Sequence, residues 1–234
     1  MDHILDQLML ISHQMGSMYW YLSELATAQS KLIQHIDNYL KERISQRPTS
    51  MPDCIASETY FHSMHFSAEA TKAMASALST LFFHLQELGV ISSPKREFSK
   101  RQLFYEARMK PYLGVSNDQI PTALDLEKAR KANTGRLTEE VCEHIDNEIR
   151  RAKRLLTEVK GLSLQEGKFV GTEEQFKKEI KALETTCVAA AVNSSQLGRL
   201  VEKHGVEGIT DKLEYTMGRR WHEWWVVPVL KEKK

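Results

Sequence analysis

The chain has 234 residues, of which 41% are hydrophobic, 27% charged and 8% aromatic, the profile of an ordinary globular protein. Its 32 Lys and Arg stand against 31 Asp and Glu, so a net charge of +1 excludes binding of nucleic acid or anionic lipid by bulk charge and leaves only local patches. Six Pro and eleven Gly are too few for a collagen-like, low-complexity or many-turned all-β chain, and long helices are the economical reading.

The N-terminus, Met1-Asp2-His3, is acidic where a signal peptide would be basic. The strongly apolar run Trp224 to Leu230 contains Pro228 and falls far short of the roughly 20 residues a membrane-spanning helix needs. Cys54, Cys142 and Cys187 stand 88 and 45 residues apart, which is neither a disulfide framework nor zinc-ligand spacing. A cytoplasmic protein with reduced thiols and no transmembrane segment is expected.

In chain order, Leu5, Leu8, Met15, Leu22, Leu25, Leu32, Ile36 and Leu40 mark an amphipathic helix over 3–47. Gly16-Ser17 is the expected bend, and Arg47-Pro48 ends the pattern because the residue before Pro is driven out of the helical region. Residues 48–57 read as a connecting loop. From 58 to 89, Ala70, Ala73, Ala77, Leu81, Leu85 and Leu88 recur at helical steps while the other faces carry almost no charge, so this helix is predicted to lie centrally, with Gly89 as its C-cap. Residues 95–110 open on a capping box, Ser99-Lys100-Arg101-Gln102, and predict a short basic helix. Pro111, Gly114, Asn117 and Pro121 make 111–123 a linker or hinge between a 1–110 part and a 124–234 part, two halves that could equally form one domain.

The second half is richer in charge, with 41 charged side chains in 118–234 against 22 in 1–117. Leu137, Val141, Ile145, Ile149, Ala152, Leu156 and Val159 form one stripe, and Phe176, Ile180, Leu183, Cys187, Ala191, Ser194, Leu197 and Val201 form another. They predict a long antiparallel helical hairpin, turning over 161–171, with a second capping box at Thr172-Glu173-Glu174-Gln175 and a stop at Gly205. A last helix is predicted from about Glu207 to Trp225. No self-similarity at 20–50 residues is visible, which gives no support to a solenoid.

Common catalytic patterns are missing from the sequence. Gly161 to Lys168 places five residues between its glycines where a phosphate loop needs four, and Phe169 stands where a magnesium-binding Ser or Thr would be required. No His has a Glu three positions before it, and there is no His-Glu-x-x-His or Gly-x-Ser-x-Gly. Cys54, His62 and His65 are a non-standard set for zinc and read better as hydrogen-bonded groups at a helix end, so neither a metal nor a cofactor is expected. Arg199-Leu-Val-Glu-Lys-His204 resembles the Arg-x4-His motif of HEPN-type ribonucleases, which are all-α proteins. That resemblance implies RNA cleavage in which Arg199 and His204 position and polarise the scissile phosphate. It covers only these residues, and Leu200 departs from the polar residue those enzymes favour after the Arg. The plainer reading is a surface Arg and a His near a helix C-terminus.

Segment 95–110 carries six basic and two acidic side chains, whereas 1–94 carries five basic and nine acidic. Lys95, Arg96, Lys100, Arg101, Arg108 and Lys110, interleaved with Phe104, could neutralise phosphates and stack on bases, or could simply solvate a helix whose aromatics face the core. Trp221, Trp224 and Trp225 either fold back on the bundle or dock a partner. The overall reading is an all-α helical bundle that acts as a non-catalytic interaction or scaffold subunit, with protein partners or copies of itself. The alternatives are a nucleic-acid-binding accessory protein using 95–110 and a HEPN-like ribonuclease.

Overall fold

The structure, a computed structural model, describes residues 15–46, 51–92, 121–162, 173–218 and 225–233. The fold is all-α: α1 (Met15–Gln46), α2 (Met51–Glu87), α3 (Ala123–Asn133), α4 (Thr138–Gly161) and α5 (Glu173–Lys212), joined by one small antiparallel ribbon of β1 (Leu213–Thr216) and β2 (Val229–Glu232). The long helices stack in chain order, α1 on α2, α2 on α4 and α4 on α5. Each neighbour runs antiparallel to the last. Ser23 bonds to Lys72 and Ser30 to His65 across α1 and α2. Glu69 meets Arg151 and His84 meets Thr138 across α2 and α4. Cys142 faces Ser194 and Lys160 meets Glu184 across the predicted hairpin of α4 and α5.

α2 lies at the centre. From Ala68 to Gln86 most of its positions are buried, including Met74, Leu78, Leu81, Phe82 and Leu85. Residues 58–62 and 64–67 are only half-buried, so the all-round burial expected over 58–89 holds for the C-terminal part of the helix. The helix ends in a Schellman motif: Gly89 adopts φ +72°, its N–H donates to the Gln86 carbonyl, and the Val90 N–H donates to the Leu85 carbonyl. α4 buries Val141, Ile145, Ile149, Ala152, Leu156 and Val159, every member of its stripe except Leu137, which is the exposed N-cap residue.

Several sequence expectations need correction. Residues 51–57 belong to α2 instead of a loop, because Pro52 sits in the first turn, where no intrahelical N–H bond is lost. Gly16 and Ser17 stand in the first described turn of α1, and the residues before Met15 that a bend there would involve lie outside the described residues. The glycine allows close packing: a Cβ at Gly16 would come within 2.7 Å of the Phe83 ring, and Ser79 Oγ donates to the Gly16 carbonyl at 2.9 Å. The predicted helix 207–225 stops at Lys212. Leu213 to Thr216 extend as β1 and pair with the Val- and Leu-containing β2, a pairing 13 or more residues distant that no local periodicity announces. Gly205, at φ 73° and ψ 164°, breaks α5 as expected, in a region of backbone space that is essentially glycine's.

α3 begins at the end of the predicted linker, where Thr122 and Asp125 form a reciprocal capping box. The basic segment 95–110, the remainder of the linker to 120, and the capping residues Ser99 and Thr172 lie outside the described residues.

Candidate interaction surface

The C-terminal segment is held by groups from three elements. Tyr19 on α1 is buried, its ring lying between Phe82 and Trp225 at centroid distances of 5.8 and 5.9 Å. Its hydroxyl donates to the Val226 carbonyl and accepts from the Val226 N–H, both at 2.7 Å. Burial holds the phenol well above its ordinary pKa, so it remains a neutral donor and acceptor. Asn193 on α5 uses both ends of its amide. Nδ2 donates to the Ala189 and Pro228 carbonyls, and Oδ1 accepts from the Leu230 N–H. Thus one buried amide satisfies backbone groups that flank the start of β2.

Glu232 on β2 closes this clasp. It accepts from Lys203 Nζ at 2.6 Å and sits 2.9 Å from His204 Nε2, with Arg199 Nη2 at 3.8 Å. The Lys203 and His204 hydrogen bonds bring the carboxyl down to about 2. The predicted catalytic pair is therefore brought together around a carboxylate. Arg199 also donates to Gln196 Oε1. One carboxylate thus faces Lys203, His204 and Arg199, and these contacts tie β2 to α5.

Of the predicted docking tryptophans, Trp225 is only 4% exposed and packs in the molecule's own core. For this residue the fold-back alternative describes the structure, because the stacked Tyr19 ring and the Val226 backbone bonds hold it inward. Trp221 and Trp224 lie outside the described residues, as do Lys95, Arg96, Lys100, Arg101, Phe104, Arg108 and Lys110. His62 and His65 diverge. His65 bonds to Ser30 and Gln34, whereas His62 Nε2 lies 3.5 Å from Asp37 Oδ2. Asp37, Glu58 and His62 cluster closely enough to hold a cation, but Lys41 Nζ already sits 2.7 Å from Asp37 and 3.7 Å from Glu58. The two free thiols described, Cys142 and Cys187, have raised pKa values because both are withdrawn from water. Cys187 is pushed up to about 12, and neither suits nucleophilic work.

Leu25, Leu32 and Tyr39 project from α1 with exposures of 38%, 59% and 51%. Of the stripe that marks the helix, Met15 is buried and Leu22 is partly covered by the core, whereas Leu25 and Leu32 are exposed. The face actually laid on α2 is Tyr19, Ser23, Ala26, Ser30 and Ile33. Small side chains there let the helices approach until Ser23 Oγ reaches the Lys72 carbonyl, and that close contact outweighs the larger leucines on the neighbouring face. Tyr19, Asn193 and Glu232 were missed as structural anchors because their partners lie 28 or more residues away, and no motif spacing reveals them.

The family described as "NAA35-like, TPR repeats" matches residues 11–227. No curated protein matches the chain. Among solved structures, a chain in the crystal structure of the NatC complex bound to CoA superposes with a TM-score of 0.74 at 16% identity, covering 96% of this chain and 37% of that one. The apo NatC complex gives 0.72 at 16% identity, with 98% and 38% covered. The NatC complex bound to Gag peptide and CoA gives 0.73 at 16% identity, with 96% and 38% covered. The chain thus spans less than two-fifths of the chains it resembles, and at this identity the likeness establishes the fold. The family's description runs against the expectation of no solenoid. In the structure the long helices stack as antiparallel neighbours in chain order, an arrangement that no sequence period announces.

Proposed function

The chain belongs to the NAA35-like, TPR-repeat family, and on that premise we propose that it is a non-catalytic helical interaction subunit of an assembly of the NatC kind. The carrying observation is the match of nearly the whole chain, in family and in fold, to one chain of a multichain complex. The site chemistry supports the same reading. Arg199 and His204 are engaged by Glu232, and the two described thiols, Cys187 buried and Cys142 half-buried, have raised pKa values. Free thiols suit a reducing, cytoplasmic setting. No helix among the described residues is long and apolar enough to cross a membrane.

In this role the helix stack is a rigid spacer that presents outer helix faces, while any acyl-CoA and peptide chemistry belongs to other chains. The test is purification of a tagged full chain from its own cells, followed by native mass measurement. Stoichiometric complexes with distinct polypeptides that acetylate a peptide N-terminus from acetyl-CoA, while the isolated chain does not, are the expected result. A chain that is purified alone, or that acts on peptide or RNA by itself, overturns the reading.

A further inference from the structure

We propose that Asp37 of α1 and Glu58 and His62 of α2 form a zinc site that clips the two helices together where their apolar packing gives out. The inference goes beyond the subunit reading and does not depend on it. Glu58 and His62 stand one helical turn apart on the same face of α2, and Asp37 meets them from α1. One ligand atom from each of the three lies within 4.8 Å of the others. His62 Nε2 and Asp37 Oδ2 are 3.5 Å apart, which is long for a hydrogen bond. Zinc bonds to nitrogen and oxygen of about 2.0–2.1 Å set the edge of a coordination tetrahedron at about 3.4 Å, so this pair already spans such an edge. A rotation of the partly exposed Glu58 side chain brings in the third ligand.

Two further observations point to a divalent cation. The Asp37 side chain is only 13% exposed, and its Oδ1 is buried with no hydrogen-bond partner among the described residues. A buried carboxylate oxygen without a donor costs free energy, and a metal ion bound to that carboxylate supplies the missing partner. The position also already attracts a cation, since Lys41 Nζ stands 2.7 Å from Asp37 Oδ2 and 3.7 Å from Glu58 Oε1. Lys41 is a provisional occupant: its side chain is 47% exposed, and its flexible stem lets the ammonium swing into water when a metal ion enters. One ammonium balances one of the two carboxylate charges, whereas a divalent ion balances both. The imidazole selects zinc over calcium and magnesium, which take oxygen donors, and the fourth position falls to water. The place of the site in the fold gives the clip its purpose. Beyond Ile33 no described residue of α1 is buried, and before Ala68 the only buried residue described on α2 is Ser63. This end of the helix pair has no apolar core, and a metal bridge supplies the cross-helix constraint that core packing gives the other end.

The experiment titrates zinc into the full chain after chelator treatment and repeats the titration with cobalt, whose visible absorption identifies four-coordinate sites. One tight equivalent of zinc, a melting temperature that rises with it, and a four-coordinate cobalt spectrum are the expected results. Asp37→Asn and His62→Ala, with folding checked by circular dichroism, should each weaken zinc binding by about ten-fold or more and abolish the rise in melting temperature. His62→Cys, which keeps a zinc ligand at that position, should restore binding. Lys41→Met should bind zinc at least as tightly as the unaltered chain, because it removes the competing ammonium. No uptake of zinc, uptake undiminished by Asp37→Asn and His62→Ala, or weaker binding in Lys41→Met overturns the site. Each of these failures leaves the subunit reading intact.

Discussion

α1 and α4 both carry apolar stripes but use them differently. In α4 the stripe is the buried face: Val141, Ile145, Ile149, Ala152, Leu156 and Val159 all lie within the core. In α1 Leu25 and Leu32 are exposed while Leu22 and Leu40 are half-buried, and a row containing Ser23, Ala26 and Ser30 makes the contact with α2. The difference lies in the position of each helix in the stack. α4 packs between α2 and α5 and is pressed on by large side chains from both. α1 has α2 as its main helical neighbour, and the close approach at Gly16 and Ser23 turns its small residues inward. A periodic stripe therefore reports that a face is apolar, and the neighbours decide which apolar face is core.

The strongest way to break this comparison is to truncate the two stripes at matched positions. Ile145→Ala and Leu156→Ala should each cost about 2–5 kcal/mol in denaturant unfolding, because each leaves a cavity among fully buried neighbours. Next in size is the clasp that α1 and α5 hold in common. Asn193→Ala strips partners from the Leu230 N–H and the Pro228 carbonyl at once, and Tyr19→Phe does the same to Val226. Each should cost about 1–3 kcal/mol, with the loss seen as early hydrogen exchange in 225–233. Gly16→Ala sets a helix-propensity gain of about 1 kcal/mol against a clash with Phe83. Since that ring is buried, a net loss of about 1 kcal/mol is expected in the melting transition. A gain would show that α1 can lift from α2.

A pH titration separates the contributions of Glu232 and His84. Glu232 is more acidic when folded than its ordinary 4.5, so its contribution is complete above that value and is lost as pH falls from about 4.5 towards 2. Glu232→Gln should remove that part of the acid dependence and leave the rest. His84 is lowered by burial, so the fold prefers it neutral and stability declines as pH falls below its ordinary 6.5. His84→Gln should flatten the unfolding midpoint between pH 7 and 5. The smallest effect belongs to the exposed stripe. Leu32→Ala should shift stability by no more than about 0.5 kcal/mol in the isolated chain, and a loss comparable to that of Ile145→Ala would show that the α1 leucines are core after all.

Much of this architecture was legible from local chemistry. The four long helices, the Gly89 and Gly205 stops, and the hairpin of α4 and α5 follow from periodicity, capping and glycine conformation, which act within a few residues. Thr122-x-x-Asp125 carried a readable signal for α3, yet the surrounding Pro and Gly concealed it. The clasp was not legible. Tyr19 meets Val226 across 207 residues and Asn193 meets Leu230 across 37, and a side chain's type does not name a partner that distant.

The sequence by itself determined that this is an all-α chain of long amphipathic helices, because hydrophobic period and helix ends are properties of neighbouring residues. Only the tertiary structure decided which face of α1 is buried, that Trp225 turns inward, that 213–216 pairs with 229–232, and that Glu232 takes up Arg199, Lys203 and His204. Those outcomes depend on which surfaces come into register when helices of 24 to 40 residues stack, and close packing settles them through steric fit and the satisfaction of buried backbone groups.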